Sequence, residues 1–275
     1  MGLRINTNVP SLAAQRQLGV SQRKLDGAMK SLASGNRFDN TGESAADSSI
    51  SEHLRGQIAG MKSARMNAEN AQSFAQIAEG GLNEQNNLLI RMRELSVQAA
   101  SDTYSDKERE FMNTEFAQLQ QEIDRIAKTT TFGSNRMLAG DSKSYEFQVG
   151  AYKGSENVIT YKSEADTTIS ALGVDSADVS DKSDARDALE SIDDALTMIA
   201  SARAGFGSIQ SRLDSTINNA GVQIENLEAA RSRIGDTDVA TAVSDMYKQQ
   251  ALQQYQISDL NEANRFPSSI IKLVG

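Results

Sequence analysis

The sequence predicts a mainly α-helical protein: a hairpin-like rod of long coiled-coil helices with a small β-hairpin in the middle of the chain. The first observation is the placement of proline. The 275 residues contain only two, Pro10 and Pro267, and the chain between them has none that would interrupt a helix. The second is an aromatic content of 5% without tryptophan, which suits packed helical rods better than a bulky globular core. The third is a pair of long seven-residue repeats.

The clearer repeat lies in a helix predicted for residues 184–235. Every seventh position is apolar, and the column consists of Ile192, Ile199, Phe206, Leu213, Ala220, Leu227 and Ile234. A sustained repeat of seven indicates one long helix that packs along its length against other helices. The companion column, which begins at Leu189, mixes apolar and polar residues. We therefore expect the packed side of this helix to be only partly covered by other helices.

A second repeat predicts the N-terminal half of the rod, residues 44–140. Its apolar column consists of Leu54, Met61, Ala68, Ala75, Leu82 and Leu89. Gly80 and Gly81 interrupt the pattern at a cost of about 1 kcal/mol per glycine, and we predict a bend or a tight contact there. Ser105 and Glu108 have the spacing of a capping box, which predicts the start of a third helix.

The middle of the chain, residues 141–183, has a different pattern. Tyr145, Phe147 and Val149 alternate with polar residues, and residues 158–161 are β-branched or aromatic, so a small hairpin is predicted. Residues 163–183 are rich in Ser, Thr and Asp, which predicts a polar loop. We expect the serines and threonines of this segment to face the outer surface.

Both ends of the chain, residues 1–43 and 236–275, predict helices with sparse apolar stripes. The stripes contain Leu18, Leu25 and Leu32 at the first end, and Met246, Ile257 and Leu260 at the second. Short amphipathic helices without a partner are marginal in water, and the apolar residues 270–274 indicate association with other chains. We therefore assign these stripes to packing between subunits, together with the column from Ile192 to Ile234.

Composition excludes several kinds of protein. The absence of cysteine excludes disulfides and thiolate metal sites. No run of about 18 apolar residues is present to span a membrane, and residues 1–10 lack the apolar core of a cleavable signal peptide. The net charge is −9, and the basic N-terminal segment has no interleaved aromatic residues, so nucleic-acid binding is not expected.

No catalytic, cofactor or metal site is predicted. His53 is the only histidine, and no catalytic motif surrounds it. Asp193 and Asp194 are adjacent on a predicted helix, so their carboxylates point in different directions. We expect all three on a solvated face or at an interface.

Several segments together resemble the bacterial flagellins. Near the N-terminus these are residues 5–8, 11–16 and 32–37, and further along residues 50–58 and 78–82. The most specific are Arg-Glu-Leu-Ser-Val-Gln-Ala-Ala at residues 93–100 and Glu-Asn-Leu-Glu-Ala-Ala-Arg-Ser-Arg-Ile at residues 225–234. The matches cover about residues 1–140 and 185–275 in the family's order.

The resemblance implies a structural subunit that is exported and polymerises into the extracellular flagellar filament for swimming. Implied partners are copies of itself, the export apparatus, a chaperone at the C-terminal helix, the filament cap and hook-associated proteins. Some flagellins are also glycosylated. A surface recognised by Toll-like receptor 5 would map onto Arg91, Leu95, Gln98 and Glu115.

Three alternatives remain at this point. A hook–filament junction protein would share the terminal helices but would usually lack the motif at residues 93–100. A secreted ligand of an innate immune receptor, or an adhesin, would assemble only incidentally. An enzyme would need a larger insertion than the middle of this chain supplies.

Overall fold

The computed structural model describes residues 8–38, 45–141, 143–163 and 165–274, with side chains as far as Arg265. Its five α-helices are α1 (Val9–Ser34), α2 (Ala45–Ala99), α3 (Asp106–Thr129), α4 (Lys182–Gly235) and α5 (Val239–Val274). The short strands are β1 (Thr131–Phe132), β2 (Asn135–Arg136), β3 (Ser144–Gln148) and β4 (Val158–Lys162). The predicted mainly α fold, with long helices and a small hairpin, is confirmed.

The chain forms two compact units. Unit 1 consists of residues 1–56 and 226–275, and unit 2 consists of residues 57–225. The boundaries fall inside α2 and α4, and so do not coincide with the segment ends predicted after residues 43 and 235. The apolar end predicted over residues 270–274 belongs to α5, but its side chains lie outside the described part.

The core of unit 2 is made by α2, α3 and α4. Its largest fully buried side chains include Leu82, Leu89, Met92, Phe116, Ile123, Ile192, Ile199, Phe206 and Leu213. Six of them, Leu82, Leu89, Ile192, Ile199, Phe206 and Leu213, are members of the two predicted repeats, so the seven-residue spacing correctly identified the packed side of α2 and α4. The predicted capping box at the start of α3 is also present. The Glu108 carboxylate accepts hydrogen bonds from the amide and hydroxyl of Ser105, at 2.7 and 2.8 Å.

The predicted hairpin forms as β3 and β4, which pair antiparallel from Ser144 opposite Lys162 to Gln148 opposite Val158. Aromatic side chains attach it to the helices of unit 2. Phe74 of α2 contacts Tyr145 with ring centroids 4.7 Å apart, and Phe206 of α4 contacts Tyr161 at 5.0 Å. The sequence analysis did not predict the small β1–β2 pair, whose strands have only two residues each.

The segment after the hairpin has no helix or strand among its described residues, as its polar composition predicts, but part of it is buried. Leu172, Val174 and Val179 are buried in the core. Gln120 of α3 donates hydrogen bonds to the carbonyls of Val174 and Ala177, at 2.6 and 2.9 Å. A few well-placed apolar residues are therefore enough to attach a polar segment to a helix.

One serine and one threonine in this region also differ from expectation. Ser163 and Thr167 are buried, and each donates its hydroxyl to a backbone carbonyl, of Met137 and Leu138 respectively. The expectation that the hydroxyls of this region face the outer surface is therefore wrong for these two.

Candidate assembly surface

The terminal helices α1 and α5 pack against each other within unit 1. Their junctions explain why. The chain leaves α1 through Gly35, whose φ of 68° ends the helix. The amide of Arg37 then donates to the carbonyl of Gly235 at 2.8 Å, and the amide of Thr237 donates to that of Gly35 at 2.9 Å. The end of α1 and the start of α5 are thereby held side by side.

This pairing corrects the expectation that the terminal helices find partners only in other copies. The buried residues of the seam between them include polar side chains: Ser11, Ser21 and Gln256 are buried there beside Leu25. The hydroxyl of Ser11 donates to the side-chain oxygen of Asn264 at 2.8 Å. Such hydrogen bonds contribute only about 1 kcal/mol each, but they are directional, so they help to set the alignment of the two helices.

Further polar contacts lie at the end of the same seam. The side-chain oxygen of Asn8 caps α1 by accepting from the Ser11 amide at 3.1 Å, while its nitrogen donates to the carbonyl of Ala263 at 2.8 Å. The side-chain oxygen of Gln256 is buried without a hydrogen-bond partner among the described residues. One residue, Asn8, thus both starts α1 and fixes its position along α5.

Large apolar side chains lie on the outside of this helix pair. On α1 they are Val9, Leu12 and Met29, and on α5 they are Val239, Tyr247, Leu252, Tyr255 and Ile257. Tyr255 is 72% exposed. Exposed apolar residues at this density mark an interaction surface. We call the sides of α1 and α5 that point away from their shared seam the outer faces.

The predicted packing residues of unit 1 fall into three groups. Leu25 is buried in the seam, and Ile257 is 46% exposed. The others are half-buried: Leu18, Leu32, Leu227, Ile234, Met246 and Leu260. Most of the surface of each of these residues is therefore already covered within the chain.

The other four predicted packing residues lie where a neighbouring subunit cannot reach them. Ile192, Ile199, Phe206 and Leu213 are fully buried in the core of unit 2. The seven-residue repeat was correct about their helix face, but their partners are α2 and α3 of the same unit. A repeat cannot by itself distinguish packing inside a chain from packing between chains.

The structure brings together two of the four expected receptor-surface residues. Arg91 donates to the Glu115 carboxylate at 2.9 Å and to Glu94 at 3.0 Å, and these bonds, with Glu115 first, raise the pKa of the guanidinium. Gln98 is exposed. Leu95 is only 2% exposed, so its expected place on a surface is wrong in this conformation: it packs in the core.

Two exposed ion pairs join distant parts of unit 2. Arg93 donates to Asp193 at 2.7 Å, and the hydrogen bond lowers the pKa of that carboxyl. Lys182 donates to Asp102 at 2.6 Å, which likewise lowers the pKa of Asp102. Asp193 was expected on a solvated face, and the structure shows it exposed but paired.

Arg109, which is 7% exposed, is not singled out by any pattern in the sequence. Its guanidinium donates to the carbonyls of Ala99 and Ser101 at 2.8 and 3.0 Å, and to Asp106 at 2.7 Å. It thus caps the carbonyl groups at the end of α2, which the helix itself leaves without partners. Its only sequence signal is its place four residues after the Ser105 cap, which alone does not reveal what it binds.

The comparisons with known proteins agree with this geometry. Residues 5–143 match the bacterial flagellin N-terminal helical region, and residues 189–274 match the bacterial flagellin C-terminal helical region. The chain belongs to the bacterial flagellin family. Flagellins are structural proteins that assemble with copies of themselves, so the chain is a structural filament subunit and not an enzyme.

Flagellin relatives match nearly the full chain. A flagellin of Halalkalibacterium halodurans is 35% identical over 270 residues, covering 98% of this chain and 99% of the relative. The flagellar filament 33 kDa core protein of Treponema phagedenis is 36% identical over 286 residues, covering 98% and 99%. The flagellin of Bacillus subtilis is 34% identical over 304 residues, covering 99% and 100%.

Among solved structures, the Bacillus cereus flagellin is similar to this chain with a TM-score of 0.51 and 31% identity, over 60% of this chain and 94% of that one. A flagellar hook-associated protein of Vibrio parahaemolyticus has a TM-score of 0.59 at 15% identity, over 70% and 100%. The second likeness concerns the fold alone. No helix in the described ranges is long and apolar enough to cross a membrane.

Proposed function

We propose that the chain is exported from the cell and polymerises through the outer faces of α1 and α5 into the filament that drives swimming. The observation that supports this is the exposure of large apolar residues on α1 and α5, such as Leu12 and Tyr255. Covering such residues stabilises a complex by about 25 cal/mol per Å² of apolar surface. Faces that do not close on themselves generate an open helical fibre.

Seeded growth tests this proposal. Purified, heat-dissociated protein is mixed with filament fragments and followed by light scattering and electron microscopy. We expect tubes to grow from the seeds. Removal of residues 1–30 should abolish growth, because most of α1 is lost. Unit 2, residues 57–225, should keep its helical circular dichroism. Polymerisation of the truncated chain would refute the role given to α1.

The remaining partners are those that the resemblance to flagellins implies, and the exposed surface of α5 supports one of them. A cytoplasmic chaperone that covers α5 before export would prevent early association, because Tyr247, Leu252 and Tyr255 are exposed on that helix. The export apparatus would then pass the subunit to the growing tip, beneath a cap protein and beyond the hook-associated proteins. Replacing Tyr247 and Tyr255 with serine should weaken binding of the purified chaperone in calorimetry, whereas the same change at Tyr104 of unit 2 should not.

Receptor recognition stays a prediction that rests on the resemblance. The exposed residues available for it are Arg91, Gln98 and Glu115. The buried Leu95 would contribute only by supporting the helix. A receptor-binding assay with Arg91→Ala, compared with Arg125→Ala on α3, would test it.

A further inference from the structure

A groove in unit 2 lies between the tip of the β3–β4 hairpin and one side of α4, and its volume is about 680 Å³. Its floor is apolar and is formed by Met61, Val149, Ile159 and Ala220, each of which is at most 8% exposed. Sites for small ligands have volumes of about 300–1,000 Å³ and combine apolar surface with a few convergent polar groups. The groove therefore has the size and the floor of a ligand site.

The tip of the hairpin forms a fixed wall of this groove. The side-chain nitrogen of Gln148 donates to the carbonyls of Gly150 and Tyr152, at 2.7 and 3.0 Å. The tip also lies directly against α2, since a Cβ on Gly60 would be 3.0 Å from the Cβ of Ala151. A wall that is already ordered binds a ligand without a further loss of conformational entropy.

The opposite wall is one side of α4, and it presents a row of neutral polar side chains. They are spaced by four residues, which places them above one another along the helix: Ser211, Ser215, Asn219 and Gln223. The side-chain nitrogen of Gln223 donates to the side-chain oxygen of Asn219 at 3.2 Å. This bond leaves the nitrogen of Asn219 as a donor and the oxygen of Gln223 as an acceptor, and both residues are exposed.

Charge and aromatic surface narrow the class of ligand. The charged residues that line the groove are Glu156 and Arg212, one of each sign, so the lining as a whole favours neither an anion nor a cation. Tyr152 also lines the groove and is 54% exposed, which leaves its ring available to an apolar face. A sugar ring has a face of C–H bonds for such a ring, and its hydroxyl groups both donate and accept, as do the hydroxyl and amide groups of α4.

We propose that this groove is a binding site for a short neutral oligosaccharide. A sugar ring packs on Tyr152 above the apolar floor, and its hydroxyl groups bond with Asn219 and Gln223 in the row on α4. The proposal does not depend on polymerisation, because all the residues that line the groove belong to unit 2 of a single chain. It gives the subunit a second property, the recognition of a sugar, besides assembly.

Saturation-transfer NMR on the dissociated chain tests the proposal. The probes are neutral trisaccharides, namely maltotriose, cellotriose and triacetylchitotriose. We expect at least one of them to bind with a Kd of about 1 mM, as suits an open groove with few convergent polar groups. Absence of saturation transfer to all of these probes would overturn the proposal. Equal binding of the acidic trigalacturonic acid would overturn the assignment to neutral sugars.

Matched variants locate the binding within unit 2. Tyr152→Ala should weaken the affinity for the bound probe about tenfold, because the stacking surface is lost. Tyr104→Ala, which removes another exposed tyrosine of unit 2, should leave the affinity unchanged. Asn219→Ala should weaken it about fivefold through the lost hydrogen bond, whereas Asn218→Ala, at an exposed neighbour outside the groove, should not. Equal affinities for all four variants would place the sugar elsewhere and refute the site.

Filling the groove gives a second, independent measurement. Ser215 lines the groove from an exposed position of α4, so Ser215→Phe should occupy the site without disturbing the buried core. We expect this variant to keep its helical circular dichroism and to lose detectable binding, while the control Asn218→Phe keeps both. Binding by Ser215→Phe at the wild-type affinity would contradict the proposal. If Ser215→Phe loses its helical signal, the variants at Tyr152 and Asn219 decide the question.

Discussion

Units 1 and 2 are both built from long helices with repeating apolar positions, yet they enclose those residues to different extents. Unit 2 encloses Leu82, Phe116 and Phe206 completely and places its ion pairs outside. Unit 1 buries Leu25 together with Ser11, Ser21 and Gln256, and it leaves Leu12 and Tyr255 outside. Helical periodicity therefore predicts which side of a helix packs. Whether the apolar residues are enclosed or exposed decides if a unit needs a partner to cover them.

The largest effect that separates the units concerns their apolar residues. Phe206→Ala in unit 2 should lower the free energy of unfolding by about 3–5 kcal/mol, because it leaves a cavity in a closed core. Leu12→Ala on the outer face of α1 should change it by no more than about 0.5 kcal/mol. Urea unfolding of the dissociated chain measures both. Comparable losses for the two variants would mean that unit 1 also depends on an enclosed apolar core.

The sequence could predict what is local. The capping box at Ser105, the alternation of β3 and the packed sides of α2 and α4 each depend on residues within a few turns of one another. Such patterns are set by backbone geometry, and the structure confirms them. A bend or a tight contact was also predicted at Gly80 and Gly81. The structure has a tight contact at Gly81, which lies against Thr130 and Leu138.

The sequence could not predict which elements meet over long distances. The pairing of α1 with α5, the burial of Leu95 and the attachment of the segment 163–181 all depend on contacts between residues far apart in the chain. Gln85 illustrates the difficulty. It interrupts an apolar pattern on α2, yet it is fully buried and donates to the carbonyls of Ile123 and Thr167, at 3.1 and 3.2 Å. Only the fold supplies those acceptors.

The next effect in size concerns the polar support of unit 2. Arg109→Ala should lower the free energy of unfolding by about 2–3 kcal/mol, because it removes charge-assisted hydrogen bonds and leaves the carbonyls of Ala99 and Ser101 without their donor. Thermal unfolding measures the change. Arg125→Ala, which breaks an exposed pair with Glu122 on the same helix, is the matched control and should have little effect. An equally small effect at Arg109 would show that water satisfies the end of α2.

Smaller effects on the stability of unit 2, opposite in sign, are expected from substitutions at the adjacent Gly80 and Gly81 of α2. A Cβ at Gly81 would lie 2.8 Å from the Thr130 hydroxyl and 3.0 Å from Leu138, whereas a Cβ at Gly80 meets no atom within 4 Å. Gly80→Ala should therefore stabilise unit 2 by up to about 1 kcal/mol through helix propensity. Gly81→Ala should destabilise it by about 1 kcal/mol, because overpacking exceeds the same gain. The two melting temperatures provide the measurement, and a rise for both would show that Thr130 moves aside freely.

The smallest effect concerns acid sensitivity, which should come from the exposed ion pairs of unit 2. The folded-state pKa values of Asp193 and Asp102 are lowered by Arg93 and Lys182. Each pair therefore contributes its stability in full above the unfolded-state pKa, about 3.9 for aspartate, and loses it as the pH falls through the lower folded-state value. The melting temperature of the Asp193→Asn variant should therefore fall less steeply than that of the wild type in that acid range. Near neutral pH it should be slightly lower than that of the wild type. Asp194→Asn, which removes a neighbouring exposed carboxylate that is not bonded to Arg93, serves as the control. An equal flattening for both variants would mean that general charge, and not the pair with Arg93, sets the acid response of unit 2.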